Sequence, residues 1–297
     1  MYKRATEQDA MMDAVEMAVL SAACHPHVVR SYACLTDMVA EAGDAPASAS
    51  IAVQQRPAPP RYRRLLPFED PEGVDTSSII VMEYCDLGTL RRAAQRGLFH
   101  RALGTGPRPT LGVDLAALVE VALEVAQAAA YLHSIRLLHC DIKLDNVLLK
   151  SEVSQPRGYI SKLADFGLAK VLGAAGAATN VACAGTVTHL APELFVPGSR
   201  VTPAADAYAF GVLLYELYAG GASAYAGLPK AAIIDRVARA GLRPRFPEGA
   251  PRGYVAVAAA CWAPDPAARP GFPAIIAALE ALRLEVERSA PHAACAP

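Results

Sequence analysis

Three short segments of this 297-residue chain carry side chains that could do chemistry together. They are residues 139–146 (HCDIKLDN), 165–167 (DFG) and 191–193 (APE). Asp141 can accept a proton, and Lys143, two residues further along an extended loop, points to the same side. The oxygens of Asn146 and Asp165 are ligands of the kind that Mg²⁺ prefers. The sequence therefore predicts a site that combines a base, a cation and a metal.

In this order the three segments resemble the signature of the protein kinase family. Further matching positions are His25-Pro26, Met82-Glu83-Tyr84-Cys85 before Gly88-Thr89-Leu90, Asp206 with Phe210-Gly211, Cys261-Trp262, Asp265-Pro266 and Arg269-Pro270. The resemblance covers roughly residues 9–287, apart from an insertion at about 40–76. It implies a two-lobed α+β fold with a truncated N-terminal β lobe (1–83), a mainly helical C-terminal lobe (84–289) and a tail (290–297).

The resemblance implies roles for the residues that do the chemistry. Asp141 is the catalytic base, and Lys143 neutralises charge on the γ-phosphoryl group of ATP as it is transferred. Asn146 and Asp165 hold Mg²⁺. Phosphoryl transfer needs positioning and charge neutralisation more than covalent help, which suits this set of groups.

Other residues are expected to bind the nucleotide or to support the site. The carbonyl of Glu83 and the amide of Cys85 meet the adenine edge, and Leu148 forms an apolar floor. Glu16 is the expected glutamate of the first long helix. Glu193 and Arg269 are expected to form the ion pair that holds the substrate loop, and Asp206 is expected to anchor the catalytic loop from a buried position. A buried carboxylate needs donors, which favours the anchor interpretation of Asp206.

The predicted activity is transfer of phosphate from ATP to serine or threonine hydroxyls of protein substrates. Lys143 and the Gly185-Thr186 pair resemble serine/threonine enzymes, and Cys261-Trp262 resembles the tyrosine-kinase-like group. Two departures from the family pattern matter, and the second, an incomplete ATP roof, supports the alternative of an impaired kinase-like scaffold. Cys140 replaces the arginine that reads a phosphate in many relatives, and a thiol cannot pair bidentately with phosphate.

The second departure concerns the ATP roof. No GxGxxG loop or Val-Ala-x-Lys strand precedes Glu16, before which only fifteen residues stand. Lys3 is a poor candidate for the clamp lysine because no apolar strand carries it. The expectation is either a fragment of a longer kinase or an incomplete roof, with exposed apolar surface that favours dependence on a regulatory protein partner.

Composition narrows the function classes. Lys+Arg and Asp+Glu number 28 and 29, so a nucleic-acid surface is not expected. Hydrophobic residues make up 53%, which excludes wholesale disorder, and no run approaches the roughly 18 uninterrupted apolar residues of a membrane span. Seven cysteines without a CxxC pair indicate free thiols, and with no secretory signal the expected location is cytoplasmic.

Hydrophobic periodicity predicts the elements that position these segments. Strands are expected at 28–35, 78–84, 147–149 and 160–164, with helices at 9–24, from near 89, and at 115–132, 204–219, 231–240, 253–262 and 273–287. Residues 40–76 and 171–190 are predicted to be loops, and 101–112 a linker.

Some of these residues also have simpler interpretations. Glu16 could be a surface residue of its helix. The spacing of His25, His27 and His139 fits no common metal site. Cys140 is a poor nucleophile candidate, since its neighbour His139 points away in an extended loop.

Overall fold

A computed structural model describes residues 23–40, 61–66, 76–103, 110–180 and 185–289. Small antiparallel sheets dominate the first part of the described chain, and helices dominate the second. The helices are α1 (Leu90–Gln95), α2 (Leu115–Ser134), α3 (Pro203–Tyr218), α4 (Lys230–Arg239), α5 (Arg252–Cys261) and α6 (Phe272–Ser289). This arrangement confirms the predicted α+β class, while the lobe boundary at residue 83 stays a prediction.

Short strands frame the loops that carry the chemistry. In chain order they are β1 (Ser31–Ala40), β2 (Tyr62–Arg64), β3 (Thr76–Met82), β4 (Gly88–Thr89), β5 (His100–Leu103), β6 (Thr110–Val113), β7 (Leu137–Leu138), β8 (Val147–Ser151), β9 (Tyr159–Leu163), β10 (Lys170–Val171), β11 (Ala178–Thr179) and β12 (Arg200–Val201). The two larger sheets have the orders β2-β1-β3 and β4-β8-β9. An isolated bridge from Val28 to Leu163 joins the segment before β1 to β9.

Helices α2 and α3 form the centre of the core. Asp114 is the N-cap of helix α2, and its carboxylate accepts a hydrogen bond from the amide of Ala117. Helix α3 starts with Pro203 and is buried on nearly all sides. Gly211 lets α5 approach α3 closely, because a Cβ at that position would lie 2.9 Å from the Cβ of Cys261.

Among the described helices, α2 has the length and composition to cross a membrane. In the fold, however, 61% of its most apolar stretch is buried inside the protein. The apolar surface of α2 is therefore explained by packing against the rest of the core.

Three sequence predictions differ from the structure. Residues 101–112 were predicted as a linker, but β5 and β6 pair there as a hairpin. Within the predicted loop 40–76, residues 62–64 pair with the end of β1. The predicted loop 171–190 contains β11, which pairs with β12. In each case strand pairing supplies hydrogen bonds that the polar or Gly/Pro-rich composition does not reveal.

Candidate active site

A buried carboxylate anchors the loop that contains Asp141. Asp206, on the first turn of α3, is 1% exposed. Its two oxygens accept hydrogen bonds from the amides of His139 (2.9 Å) and Cys140 (2.8 Å), and His133 Nε2 lies 2.8 Å away. Burial alone raises the pKa of Asp206, but the bonds from His133 and the His139 amide outweigh it and lower the pKa.

Backbone strain marks the same loop. Cys140 has φ of +63°, a left-handed conformation that costs energy in a residue other than glycine. The two bonds to Asp206 hold the two peptide groups that lead into this strained position. Next to it, the buried ring of His139 contacts the carbonyl of Ala164 at 3.0 Å and packs 5.1 Å from the ring of Phe166. The loop is thereby fixed to the strand end that leads into Asp165.

Asp141 lies at the centre of a hydrogen-bond cluster. Lys143 Nζ is 2.5 Å from its Oδ2, and Asn146 Nδ2 donates to the same oxygen at 2.9 Å. The hydroxyl of Thr186 donates to Oδ1 at 2.8 Å and accepts a bond from Lys143 at 2.9 Å. Burial opposes the charge on Asp141, but the bonds from Lys143, Thr186 and Asn146 prevail and lower its pKa.

A backbone hydrogen bond brings the segment that contains Asp165 next to Asn146. The amide of Ala164 donates to the carbonyl of Asn146 at 2.8 Å, which brings the residue before Asp165 against the catalytic loop. The side-chain NH₂ of Asn146 donates to the carbonyl and carboxylate of Asp141, leaving Oδ1 as an acceptor. Asp165 is exposed, has φ of +63° and accepts only a long bond (3.4 Å) from Gly167 within the described residues. An amide oxygen and an available carboxylate fit a hard divalent cation.

The predicted nucleotide edge lies where β3 leads into β4. Cys85 packs in a small apolar cluster with Val29 and Ala164, and Leu148 packs against this cluster. Within the described part of the chain, no backbone hydrogen bond uses the carbonyl of Glu83 or the amide of Cys85. Among the described residues, an acceptor and a donor without backbone partners therefore lie in the segment whose Cys85 side chain packs in the cluster that Leu148 contacts.

Glu193 and Arg269 form a bidentate ion pair below the site. Nη1 and Nη2 of Arg269 lie 2.7 and 2.8 Å from the two carboxylate oxygens of Glu193. The same guanidinium donates to the carbonyls of Ala263 and Ala204. The pair joins the 3₁₀ turn Pro192–Phe195 to the chain between α5 and α6, and so holds the segment that follows Thr186.

Residues 72–279 match a family profile described as "Protein tyrosine and serine/threonine kinase". The chain belongs to the protein kinase family. The three catalytic segments, the strand end at Glu83 and the pair of Glu193 with Arg269 all lie inside the matched range. The fold class predicted from the sequence, a two-lobed kinase-like fold, is therefore confirmed.

The names of the curated relatives include both a tyrosine-protein kinase and a serine/threonine-protein kinase. Mitogen-activated protein kinase kinase kinase 11 of Homo sapiens is 33% identical over 218 residues, covering 72% of this chain and 24% of the relative. Non-receptor tyrosine-protein kinase TNK1 of Mus musculus is 35% identical over 195 residues, with 65% and 27% covered. Probable serine/threonine-protein kinase drkC of Dictyostelium discoideum is 31% identical over 210 residues, with 69% and 25% covered. The kinase spans about a quarter of the length of these relatives.

Some predicted features of the kinase lie beyond these contacts. Glu16, Lys3 and residues 9–22 of the predicted helix fall outside the described residues, while residues 23 and 24 are described and are not helical. The described residues contain no group of three or more His, Cys, Asp or Glu side chains arranged to hold a metal ion, so no histidine site appears there. Glu83 lies at the nucleotide edge, but its side chain forms ion pairs with Lys150 and Lys162 that the sequence analysis did not foresee. A lysine inside the buried strand YISKL was the available signal, because a buried ammonium needs a partner.

We predict that Asp206→Asn destabilises the kinase by about 3 kcal/mol, because the amide cannot accept from both backbone amides and still satisfy its own donors. Folding lowers the pKa of Asp206, so its contribution is present above about pH 4 and is lost as the pH falls through the folded pKa. Urea unfolding of both proteins from pH 7 to pH 3 measures this difference.

The matched control is Asp235→Asn, which removes an exposed carboxylate paired with Arg239 within α4. It should leave the unfolding free energy unchanged. Equal stability of Asp206→Asn and Asp235→Asn at pH 7 would contradict the anchor role of Asp206.

Proposed function

We propose that this kinase transfers the γ-phosphoryl group of ATP to serine or threonine hydroxyls of proteins. The observation that carries the proposal is the Asp141 cluster, in which a largely buried carboxylate is bonded to Lys143, Asn146 and Thr186. Its lowered pKa keeps Asp141 ionised at neutral pH. An ionised, positioned carboxylate can orient the substrate hydroxyl and accept its proton as the new P–O bond forms.

Lys143 lies beside the carboxylate and can neutralise charge on the phosphoryl group during transfer. Oδ1 of Asn146 and the exposed carboxylate of Asp165 are the groups that would hold Mg²⁺. When bound, Mg²⁺ neutralises phosphate charge and fixes the orientation of the phosphates. The different surroundings of Asp141 and Asp165 support different roles: the first is held by donors, and the second is open to a ligand.

The adenine is assigned to the edge between β3 and β4. The Glu83 carbonyl can accept from the amino group of adenine, and the Cys85 amide can donate to a ring nitrogen. Leu148, with the apolar cluster behind it, offers a surface for the base. ATP is therefore the expected phosphoryl donor.

Thr186 supports serine/threonine specificity. It bridges Lys143 and Asp141, and this contact draws the loop that precedes the APE segment close to the base. A short hydroxyl substrate needs such close approach, whereas the hydroxyl of tyrosine lies farther from its backbone. Of the three relatives above, drkC is named as a probable serine/threonine-protein kinase, although TNK1 is named as a tyrosine-protein kinase.

A second candidate is a kinase-like scaffold that binds partner proteins in the cytoplasm. It is favoured by exposed apolar side chains on the sheet of β1 and β3, namely Tyr32, Leu35, Ile80, Val81 and Met82. A scaffold of this kind need not transfer phosphate, so the two candidates separate in a transfer assay.

We predict that Asp141→Asn lowers kcat by about 10² to 10⁴-fold, because the amide cannot accept the substrate proton. ADP binding should persist, since the hydrogen bonds of the Asp141 carboxylate go to Lys143, Asn146 and Thr186 and not to the residues assigned to the adenine. The measurement is transfer of ³²P from labelled ATP to matched peptides that contain one serine, threonine or tyrosine.

Asp235→Asn on the exposed face of α4 serves as the control and should keep full activity. Full activity of Asp141→Asn would refute the assignment of the base, and transfer to the tyrosine peptide alone would refute the proposed specificity. Absence of transfer by the wild-type protein would favour the scaffold.

We predict that Lys143→Met moves the acidic limb of the pH profile to higher pH. Burial raises the pKa of Asp141, and hydrogen bonding and charge from Lys143 are among the effects that lower it. Without the lysine, the base becomes protonated at higher pH and activity is lost sooner on acidification. The measurement is kcat/KM of both proteins from pH 5 to pH 8, and coincident normalised profiles would contradict the proposed coupling.

A further inference from the structure

The carboxylate of Glu83 is surrounded by donors from three segments. Lys150 Nζ on β8 lies 2.7 Å from Oε1, and Lys162 Nζ on β9 lies 3.0 Å from Oε2. The amide of Arg30 donates to Oε2 at 3.2 Å. Only 10% of the Glu83 side chain is exposed, so the carboxylate depends mainly on these donors for the stability of its charge.

Lys162 is the interior member of this group. Its side chain is 8% exposed, whereas that of Lys150 is 37% exposed. Its ammonium also donates to the carbonyl of Pro26 at 2.7 Å. Because a buried ammonium is costly without partners, Lys162 ties β9, Glu83 and the segment before β1 into one arrangement.

The same arrangement fixes the edge assigned to the adenine. The amide of Glu83 donates to the carbonyl of Arg30 at 2.8 Å, and the amide of Leu87 donates to the carbonyl of Leu149 at 3.1 Å. The Glu83 carbonyl and the Cys85 amide lie between these two anchors. The side chain that Lys162 holds therefore belongs to the same residue whose carbonyl is assigned to the adenine.

The direction of that carbonyl decides which base fits. Adenine presents an amino donor beside a ring-nitrogen acceptor, while guanine presents an oxygen acceptor beside an N–H donor. A fixed carbonyl and amide complement adenine and oppose guanine with like groups. Discrimination of this kind is strong because the wrong base leaves polar groups unpaired, and it weakens when the edge can tilt.

We propose that Lys162, acting through Glu83, is a positioning residue that fixes this edge and thereby selects adenine over guanine nucleotides. The inference rests on the proposed function, which assigns the adenine to Glu83 and Cys85. Removing Lys162 leaves the carboxylate without its interior donor and frees the edge to tilt. Lys150 pairs with the other oxygen of this carboxylate from the surface, where water can take its place.

The test compares Lys162→Met with the conservative Lys162→Arg and with Lys230→Met, a control at the exposed start of α4. Calorimetry with Mg²⁺ measures binding of ADP and of GDP, and mass spectrometry measures amide hydrogen exchange over residues 83–87 without nucleotide. We expect Lys162→Met to weaken ADP binding at least tenfold, to leave GDP binding within twofold and to speed exchange at the edge. Lys162→Arg should restore most of the ADP affinity, and Lys230→Met should match the wild-type protein.

Three outcomes would overturn the proposal. They are ADP binding and exchange within twofold of wild type in Lys162→Met, equal loss of ADP and GDP binding, and no recovery in Lys162→Arg. Wild-type protein that binds neither nucleotide would instead overturn the proposed function and this inference with it, so the two failures are distinguishable. Should Lys162→Met not fold, Glu83→Gln/Lys162→Met removes both charges, and the same loss of ADP selectivity is expected.

Discussion

The carboxylate of Asp206 accepts two backbone amides of the loop that carries Asp141, and the positions of the reacting groups follow from these two bonds. The bonds hold a left-handed Cys140 in place, and the next residue is Asp141, the proposed base. Because α3 is buried in the core, its bonds to the loop hold the loop in a fixed position relative to the core. Strain at the loop is balanced by hydrogen bonds that reach it from a different element.

At three places in the kinase, a carboxylate with hydrogen-bond donors from another segment joins two parts of the chain. Asp206 joins α3 to the catalytic loop, Glu83 joins the nucleotide edge to β8 and β9, and Glu193 joins the substrate loop to the chain after α5. In each pair the burial cost of the charge is offset by several donors. Asp165 differs because it is exposed and lacks a cationic partner among the described residues, which is what a metal ligand requires.

Much of this architecture could be predicted from the sequence because the relevant signals are local. The helix that starts after Thr89 and the buried helix after Pro203 follow from capping and periodicity, and the structure shows both. The closeness of Asp141 and Lys143 follows from their spacing. The pairing of β5 with β6 was missed, since strand pairing depends on partners that periodicity does not identify.

The ion pairs of Glu83 were missed for a related reason. Lys150 and Lys162 lie far from Glu83 in the sequence, and only the β8–β9 hairpin brings them to it. The bridge of Thr186 to Asp141 likewise depends on the course of the loop before the APE segment. Long-range polar contacts of this kind are fixed by the fold as a whole and carry no short sequence pattern.

We propose that Asp206 holds the loop of Asp141 so that Asn146 and Asp165 share one metal–nucleotide site. Crystals grown with a non-hydrolysable ATP analogue and Mn²⁺ test it through the anomalous signal of the metal. We expect a peak within ligand distance of both Asn146 and Asp165, with the adenine against Glu83 and Cys85. A bound nucleotide whose metal lies away from these two side chains would contradict it.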